Sequence, residues 1–209
     1  MSESENRSEE LPKRAATMRL SQRELTRISL AIVGLIVLVF LFLGYRVILG
    51  FKANHDKLIA QENLHSIFKA FYGYAQDWDQ HLPAADHWTD AVVGYLSSSG
   101  QPGGPTAALH GPGDGPQITY VYNDLVAGKS IDPADKKSID TSRMILLIER
   151  PGAGPNAHVS IPPQINKQAE QVLFKELSFP HGNDDADNAS TVILYANGTQ
   201  RVVTRRDFR

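Results

Sequence analysis

The sequence contains no cysteine, which removes one set of chemistries from consideration. Without thiols the chain can form no disulfides, thiolate metal sites or cysteine nucleophiles. An excess of positive charge is also lacking, because 21 lysines and arginines face 23 aspartates and glutamates, giving a formal net charge of −2. A strongly basic balance is the usual electrostatic signature of nucleic-acid binding. We therefore expect no nucleic-acid partner.

Proline is missing between Pro12 and Pro83, and charge is missing from Ile28 to Tyr45. The uncharged stretch reads ISLAIVGLIVLVFLFLGY and has 18 residues, with Arg27 before it and Arg46 after it. As a helix it would be about 27 Å long, close to the hydrocarbon thickness of about 30 Å, and the long side chain of Arg46 can reach across the difference. The sequence therefore predicts a membrane span.

No helix breaker separates this span from a second pattern of apolar residues. Between Lys57 and Trp78 they recur at steps of three and four, which is the spacing of one face of an α-helix. We predict one helix from Arg23 to Trp78, membrane-spanning first and amphipathic afterwards. Two helices that meet near Gly50 and Asn54 are the alternative. The predicted buried face consists of Leu64, Ile67, Phe68, Phe71, Ala75 and Trp78.

These patterns divide the chain into a polar tail at 1–22, the span with its extension at 23–54, and a globular domain at 55–209. The apolar run is longer than that of a secretory signal peptide and begins further along the chain, so we expect an uncleaved anchor. Positive charge favours the cytoplasmic side of a span. We expect a single-pass protein of the cytoplasmic (inner) membrane, with a cytoplasmic N-terminus and a periplasmic or otherwise extracytoplasmic domain. The basic residues are Lys13, Arg14, Arg19, Arg23 and Arg27 before the span, and Arg46, Lys52 and Lys57 closely after it.

The strands predicted after the helix indicate an α+β domain. An alternating pattern at 117–123 and a short continuous apolar run at 143–149 predict two strands. The sequences TVILYA and TQRVVT flank Asn197-Gly198, which predicts a β-hairpin with a two-residue type I′ turn. Antiparallel strands that follow a helix, rather than alternating with helices, favour the α+β class.

Two shorter helices and one loop complete the predicted domain. A helix is expected at 87–96, with Asp86 as its N-cap, and another at 164–177. The stretch 97–116 is rich in glycine and proline and predicts a mobile loop.

The sequence also resembles a known family, and the resemblance implies a pilin-like α+β fold in which the long helix packs on a small antiparallel β-sheet. A long N-terminal helix that spans a membrane and then becomes amphipathic, followed by a small antiparallel sheet, is the plan of pilins and pseudopilins. Within that plan the chain is similar to bacterial pseudopilin-like proteins related to type II secretion, which share a domain of unknown function with a C-terminal His-x9-Asp-Gly motif. The similarity lies in Asn63–Pro83 with Trp88 and Tyr95-Leu96, in Tyr120–Gly128 with Ser142–Glu149, and in His181–Val202.

The family motif has diverged in this chain. His181 matches its histidine, but Asn197-Gly198 stands where the family has Asp-Gly, and fifteen residues separate His181 from Asn197. The apolar strand and the Asn-Gly turn are also explained by hairpin formation alone. Both a functional and a purely structural role for the motif therefore stay open.

The resemblance also implies an N-terminal processing site. Prepilins carry glycine at this site and a glutamate shortly after it. The best register places Arg19 at the glycine, Leu20 at the first residue of the mature chain and Glu24 at the glutamate. In the family the glutamate neutralises the amino terminus of a neighbouring subunit, which requires a cut between Arg19 and Leu20. Glycine suits such a site because it has no side chain, and arginine does not share this property. An unprocessed chain with Glu24 as a solvated charge is therefore the alternative.

The loop His181–Asn188 offers one candidate metal site. Clustered carboxylate and amide oxygens are the ligands that Ca²⁺ prefers, but the ligand spacing of a defined calcium loop is absent, and a solvated turn is the alternative. No other cofactor and no small-molecule substrate is expected. No catalytic residues are predicted, because Asp77 and Asp79 are two positions apart at a helix end and would point to different faces. The possible calcium ligands are Asp184, Asp185, Asp187 and Asn188.

The patterns, together with what the resemblance implies, lead us to expect one of two functions. The first is a non-enzymatic, pseudopilin-like membrane protein that serves as a structural or assembly component of a type II secretion or type IV pilus-like system. Its partners would be the lipid bilayer and other pseudopilin-like subunits, contacted through the N-terminal helix. The second is a monomeric binding domain tethered to the membrane, which has lost processing and filament assembly.

Overall fold

The computed structural model describes residues 22–96, 104–112, 117–164, 166–182 and 187–209. The chain forms two compact units, residues 1–46 and Val47–Arg209. The described part of the first unit is helical throughout. The second unit contains a sheet of five strands and is the folded domain. The fold is α+β, with one long N-terminal helix, as the sequence predicts.

The long helix α1 spans Gln22–Asp77 as a single element, so the alternative of two helices is not observed. Its second half contributes Leu64, Ile67, Phe71 and Ala75 to the core of the domain, together with Ala60 and Ala70. Trp78 was predicted to be buried and is 58% exposed, which corrects that expectation. The reason is that the helix ends at Asp77, so the position of Trp78 no longer follows helical spacing.

The sheet has the strand order β3-β1-β2-β4-β5. Pairing is antiparallel between β1 and β2, between β2 and β4, and between β4 and β5, whereas β3 pairs in parallel with β1. The sheet is therefore mixed, and the prediction of an antiparallel sheet is wrong at this edge. The two-residue β3 is too short to show a period in the sequence. The strands are β1 (Ile118–Asn123), β2 (Ile145–Ala153), β3 (His158–Val159), β4 (Ser190–Tyr195) and β5 (Gln200–Thr204).

Two apolar clusters make up the core. The larger combines α1 with the helix α2 (Trp88–Val93) and with side chains of β1, β2 and β4. At its centre the fully buried Trp88 lies with its ring centroid 5.8 Å from that of Phe71 and donates a hydrogen bond from Nε1 to the carbonyl of Ala157 at 3.0 Å. The smaller cluster joins the other side chains of the sheet to Leu173 of the helix α3 (Lys167–Glu176).

The start of the helix α2 differs from expectation, whereas α3 lies within the predicted segment 164–177. Asp86 lies within a 3-10 turn, Ala85–His87, and α2 has no side-chain cap, so the predicted N-cap at Asp86 is wrong. The carboxylate of Asp86 lies instead 3.3 Å from Nε2 of His87. By contrast, α3 is capped by Asn166, whose side chain accepts a hydrogen bond from the amide of Ala169.

The segment predicted as a loop at 97–116 contains ordered structure at its centre. Residues Pro105–Leu109 form a 3-10 helix, and Ala108 and Leu109 are buried in the larger cluster. The carbonyl of His110 accepts a hydrogen bond from the side chain of Asn63 in α1 at 2.9 Å. This part of the segment is therefore packed against the domain. The contact is made by two apolar side chains that lie among its glycine and proline residues.

The hairpin of β4 and β5 is present, but its turn differs from the predicted type I′. Only Gly198 has a positive φ, at 86°, and Asn197 does not. The amide of Gly198 bonds to the carbonyl of Tyr195, and the amide of Tyr195 bonds to the carbonyl of Thr199. This arrangement is typical of a turn followed by a glycine bulge. Asn197 is held by its own contacts, since its amide donates to Thr141 and its side chain accepts from Thr199.

We expect Gly198→Ala to lower the free energy of unfolding by about 1 to 3 kcal/mol. The left-handed backbone disfavours a side chain, and an added Cβ would lie 2.7 Å from the ring of Phe68 in α1. The midpoint of thermal unfolding measures this loss. Gly94→Ala is the matched control, because φ there is −67° and nothing lies within 4 Å of the new Cβ. Equal midpoints for the two variants would contradict the expectation.

Candidate functional site: a buried histidine–glutamate pair

A carboxylate lies in the core of the domain, on the central strand β2. Glu149 is 0% exposed and is buried like the apolar residues that precede it on the strand. Its Oε2 accepts hydrogen bonds from the amide of Val192 at 2.6 Å and from the hydroxyl of Thr191 at 3.2 Å, both on β4. Burying a carboxylate is costly unless hydrogen bonds or an opposite charge compensate. The neighbouring strand provides the first of these conditions.

His181 provides the remaining contact. Its Nε2 lies 3.0 Å from Oε1 and 3.1 Å from Oε2 of Glu149, and the histidine is 5% exposed. The backbone of His181 is fixed by two hydrogen bonds with Ser190, at 3.1 and 2.8 Å. These bonds join the segment after α3 to the start of β4. The ring is therefore held against the carboxylate by the backbone on which it stands.

The pair has little space beside it. A pocket of about 30 Å³ lies between Glu149, His181, Asp56 of α1 and Thr119 of β1. A volume of this size holds about one water molecule. The contacts of the pair support a role in fixing β2, β4 and the His181 segment relative to one another.

Sequence reasoning identified His181 through the family motif but missed Glu149. The available signal was a glutamate that directly follows the apolar run MILLI at 144–148. Such a position is expected to be buried if the strand is central and continues unchanged. Glu149 and His181 are 32 residues apart, and nothing in the local pattern of either predicts their contact. The other two motif residues, Asn197 and Gly198, form the hairpin turn and are not part of this site.

The candidate calcium ligands are only partly within the described structure. Asp184 and Asp185 lie outside the described residues. Asp187 accepts a hydrogen bond from Arg209 at 2.9 Å, and Asn188 is exposed in a turn. Among the residues described, no group of three or more histidine and carboxylate side chains is arranged to hold a metal ion. The calcium site therefore remains a prediction.

The residues of the predicted processing site are also only partly within the described structure. Arg19 and Leu20 lie outside the described residues, and Glu24 belongs to the first turn of α1. Processing and its consequence for Glu24 remain predictions.

The first half of α1 presents a second candidate surface. The helix is long and apolar enough to cross a membrane, with a mean hydropathy of 2.8 in its most apolar stretch, none of which is buried. Exposure continues beyond Arg46, because Ile48 is 67% exposed and Phe51 is 72% exposed. Side chains of this kind rarely face water over so long a stretch.

Comparisons of the chain with known protein families, with characterised proteins and with solved structures found no match. The pilin-like assignment and the resemblance to pseudopilin-like proteins therefore stay predictions. The features of the protein that bear on its function are the apolar helix and the domain that packs around its second half.

Proposed function

We propose that the protein is a non-enzymatic, single-pass membrane protein that acts as an assembly subunit, of the pseudopilin-like kind that the sequence resembles. The observation that carries this proposal is α1, whose apolar first half is exposed while its second half forms part of a domain core. Lipid and other helices are the natural contacts of such a surface. A cytoplasmic N-terminus and an extracytoplasmic domain complete the proposal.

One face of the span is suited to contact another helix. Gly34, Val37, Leu41 and Gly44 follow one another at steps of three, four and three, so they lie along one stripe of α1. An added Cβ at either glycine would meet nothing within 4 Å. Small residues let two helices in a membrane approach closely. We therefore place the contact between subunits on this stripe.

Single cysteines test the assembly directly, because the native chain has none. We expect Val37→Cys and Leu41→Cys to give disulfide-linked oligomers in native membranes under mild oxidation. Val39→Cys is the matched control, since its side chain points away from the stripe. Equal cross-linking at all three positions would indicate random collision. No cross-linking at any position would leave the monomeric tethered domain as the better description.

We also expect the membrane-embedded part of α1 to reach Phe51 rather than end at Tyr45. Ile28–Phe51 has 24 residues and a single charge at Arg46. As a helix this is about 36 Å, which a tilted span accommodates. The guanidinium of Arg46 lies 5.5 Å from the ring centroid of Phe42, so the side chain runs along the helix surface.

A membrane-impermeant maleimide measures this boundary, because thiols react with it only where water has access. In native membranes Ile48→Cys and Phe51→Cys should be protected, while His55→Cys should react. Detergent should expose all three. If the first two cysteines react as fast as the third without detergent, the span ends near Arg46 instead.

A further inference from the structure

An exposed aromatic surface lies at the domain end of α1. Trp78 is 58% exposed, and its ring stacks on that of Tyr74 with centroids 5.4 Å apart and an angle of 9° between the planes. Tyr95 packs edge-on against Tyr74 at 5.9 Å. Its hydroxyl donates a hydrogen bond to Asp77 at 2.9 Å, and this bond raises the pKa of Tyr95. The tyrosine therefore keeps its proton and its bond to the carboxylate at neutral pH.

The backbone holds this surface in place. Asp79 and Gln80 both have left-handed φ values, 50° and 60°, which non-glycine residues adopt at some cost. Hydrogen bonds compensate, since the amide of Gln80 donates to Ala75 at 2.7 Å and the carbonyl of Gln80 accepts from Ile131 at 2.9 Å. The chain is thus fixed immediately after Trp78. An indole on a fixed backbone loses little freedom when a partner binds.

Charge is strongly segregated around this surface. No lysine or arginine occurs from Ala70 to Gly128, and Asp77 and Asp79 flank the exposed indole. The opposite sign is concentrated at the C-terminus, where the last nine residues, RVVTRRDFR, contain four arginines and one aspartate. Arg201 and Arg206 of this segment are exposed. An arginine guanidinium is the group best suited to lie on an indole face while bonding to carboxylates.

We propose that the surface formed by Tyr74, Asp77, Trp78, Asp79 and Tyr95 binds the C-terminal arginines of a second copy of this chain. This contact rests on the assembly proposed above and assigns it a second interface, in the folded domain. The two surfaces are different parts of one chain, so the contact is heterologous. Each copy offers one acceptor surface and one arginine segment, and successive copies can therefore continue a chain of contacts.

The experiment uses two full-length variants, both in detergent solution. Each variant retains one half of the contact. The reporter, Arg201→Gln/Arg206→Gln, keeps Trp78 and lacks two of the three exposed arginines of the segment. The third, Arg209, is bonded to Asp187 of its own chain. The titrant, Asp77→Asn/Trp78→Phe, keeps the arginines and lacks the acceptor. The control titrant carries all four substitutions. Because the spans are identical, association through the membrane helix contributes equally with both titrants.

The measured signal is tryptophan fluorescence of the reporter. The only other tryptophan, Trp88, is fully buried and is present in every variant, so its contribution can be subtracted. We expect a saturable change in Trp78 emission with the titrant, at an affinity about tenfold tighter than with the control titrant. Salt at about 1 M, where the Debye length is about 3 Å, should weaken the difference.

Equal responses to both titrants, or no response to either, would overturn this proposal. Neither result bears on the span, whose contact is read separately by the cysteines at Val37 and Leu41. Conversely, a loss of those disulfides with a persistent difference between the titrants would keep the domain contact and refute association through the helix. Thermal unfolding midpoints close to that of the native chain establish that the exposed substitutions leave the fold intact.

Discussion

Asn123→Asp should lower the free energy of unfolding by about 3 to 6 kcal/mol, although it changes the shape of the side chain very little. The amide nitrogen of the fully buried Asn123 donates to the carbonyls of Ile145 and Ile161, both at 2.8 Å. Its oxygen accepts from the amides of Ile161 and Leu125, at 2.9 and 3.1 Å. The substitution replaces two donors by an oxygen that faces two carbonyls.

The midpoint of thermal unfolding of the full-length protein in detergent measures this loss. We expect a decrease of roughly 6 to 24 °C, read from the near-ultraviolet circular dichroism of buried Trp88. Asn54→Asp, at an exposed position of α1, is the control and should change stability by less than about 0.5 kcal/mol. A decrease no larger than that of the control would show that these hydrogen bonds do not hold β1, β2 and the segment at Ile161 together.

The Asn123→Asp variant should also acquire a dependence on pH. Burial, together with the two carbonyls that face one of its oxygens, raises the pKa of the introduced carboxyl above its unfolded value. Stability is then fully present below the unfolded pKa, about 3.9, and is lost as the pH rises through the folded pKa. The difference between variant and native chain should therefore be smaller at acidic than at alkaline pH.

Glu149→Ala should lower the free energy of unfolding by about 3 to 5 kcal/mol, because it leaves a buried ring and a buried amide without their acceptor. His181 and the amide of Val192 both bond to this carboxylate. His181→Ala should cost less, since Glu149 keeps the bonds from Thr191 and Val192. The order of the two losses is the distinctive expectation.

Glu62→Ala provides the matched control, because Glu62 is an exposed glutamate of α1. It should leave the unfolding midpoint nearly unchanged, since alanine is at least as good a helix former as glutamate. If Glu149→Ala behaves like this control, the buried pair does not stabilise the sheet. If His181→Ala is the more damaging of the two, the imidazole has a role that its contact with Glu149 does not explain.

Much of the fold follows from local patterns. The uncharged run Ile28–Tyr45, the steps of three and four up to Ala75, and the apolar runs of β1, β2, β4 and β5 each fix an element through residues close in sequence. The predictions were wrong where a contact with a distant part of the sequence determines the local conformation. Asn197 lacks the expected positive φ because its amide bonds to Thr141, which lies on another part of the chain.

The candidate sites show the same division. His181 was found through its resemblance to a motif, whereas its partner Glu149 was not. The exposed indole of Trp78 was missed because the helical period was continued one residue too far. The separation of charge around Trp78 can be recognised in the sequence. The contribution of Tyr95 to the same surface cannot, because Tyr95 belongs to a separate segment after α2.

The sequence by itself determined the apolar helix, the α+β class and the places where strands form, because hydrophobic period and turn residues act over a few positions. Only the tertiary structure decided which polar groups are buried together. Asn123 reaches carbonyls 22 and 38 residues away, and Glu149 meets donors 32 to 43 residues away. A buried polar group needs a hydrogen-bond partner, and that partner can come from any part of the chain that the fold brings close. A local sequence pattern therefore does not identify it.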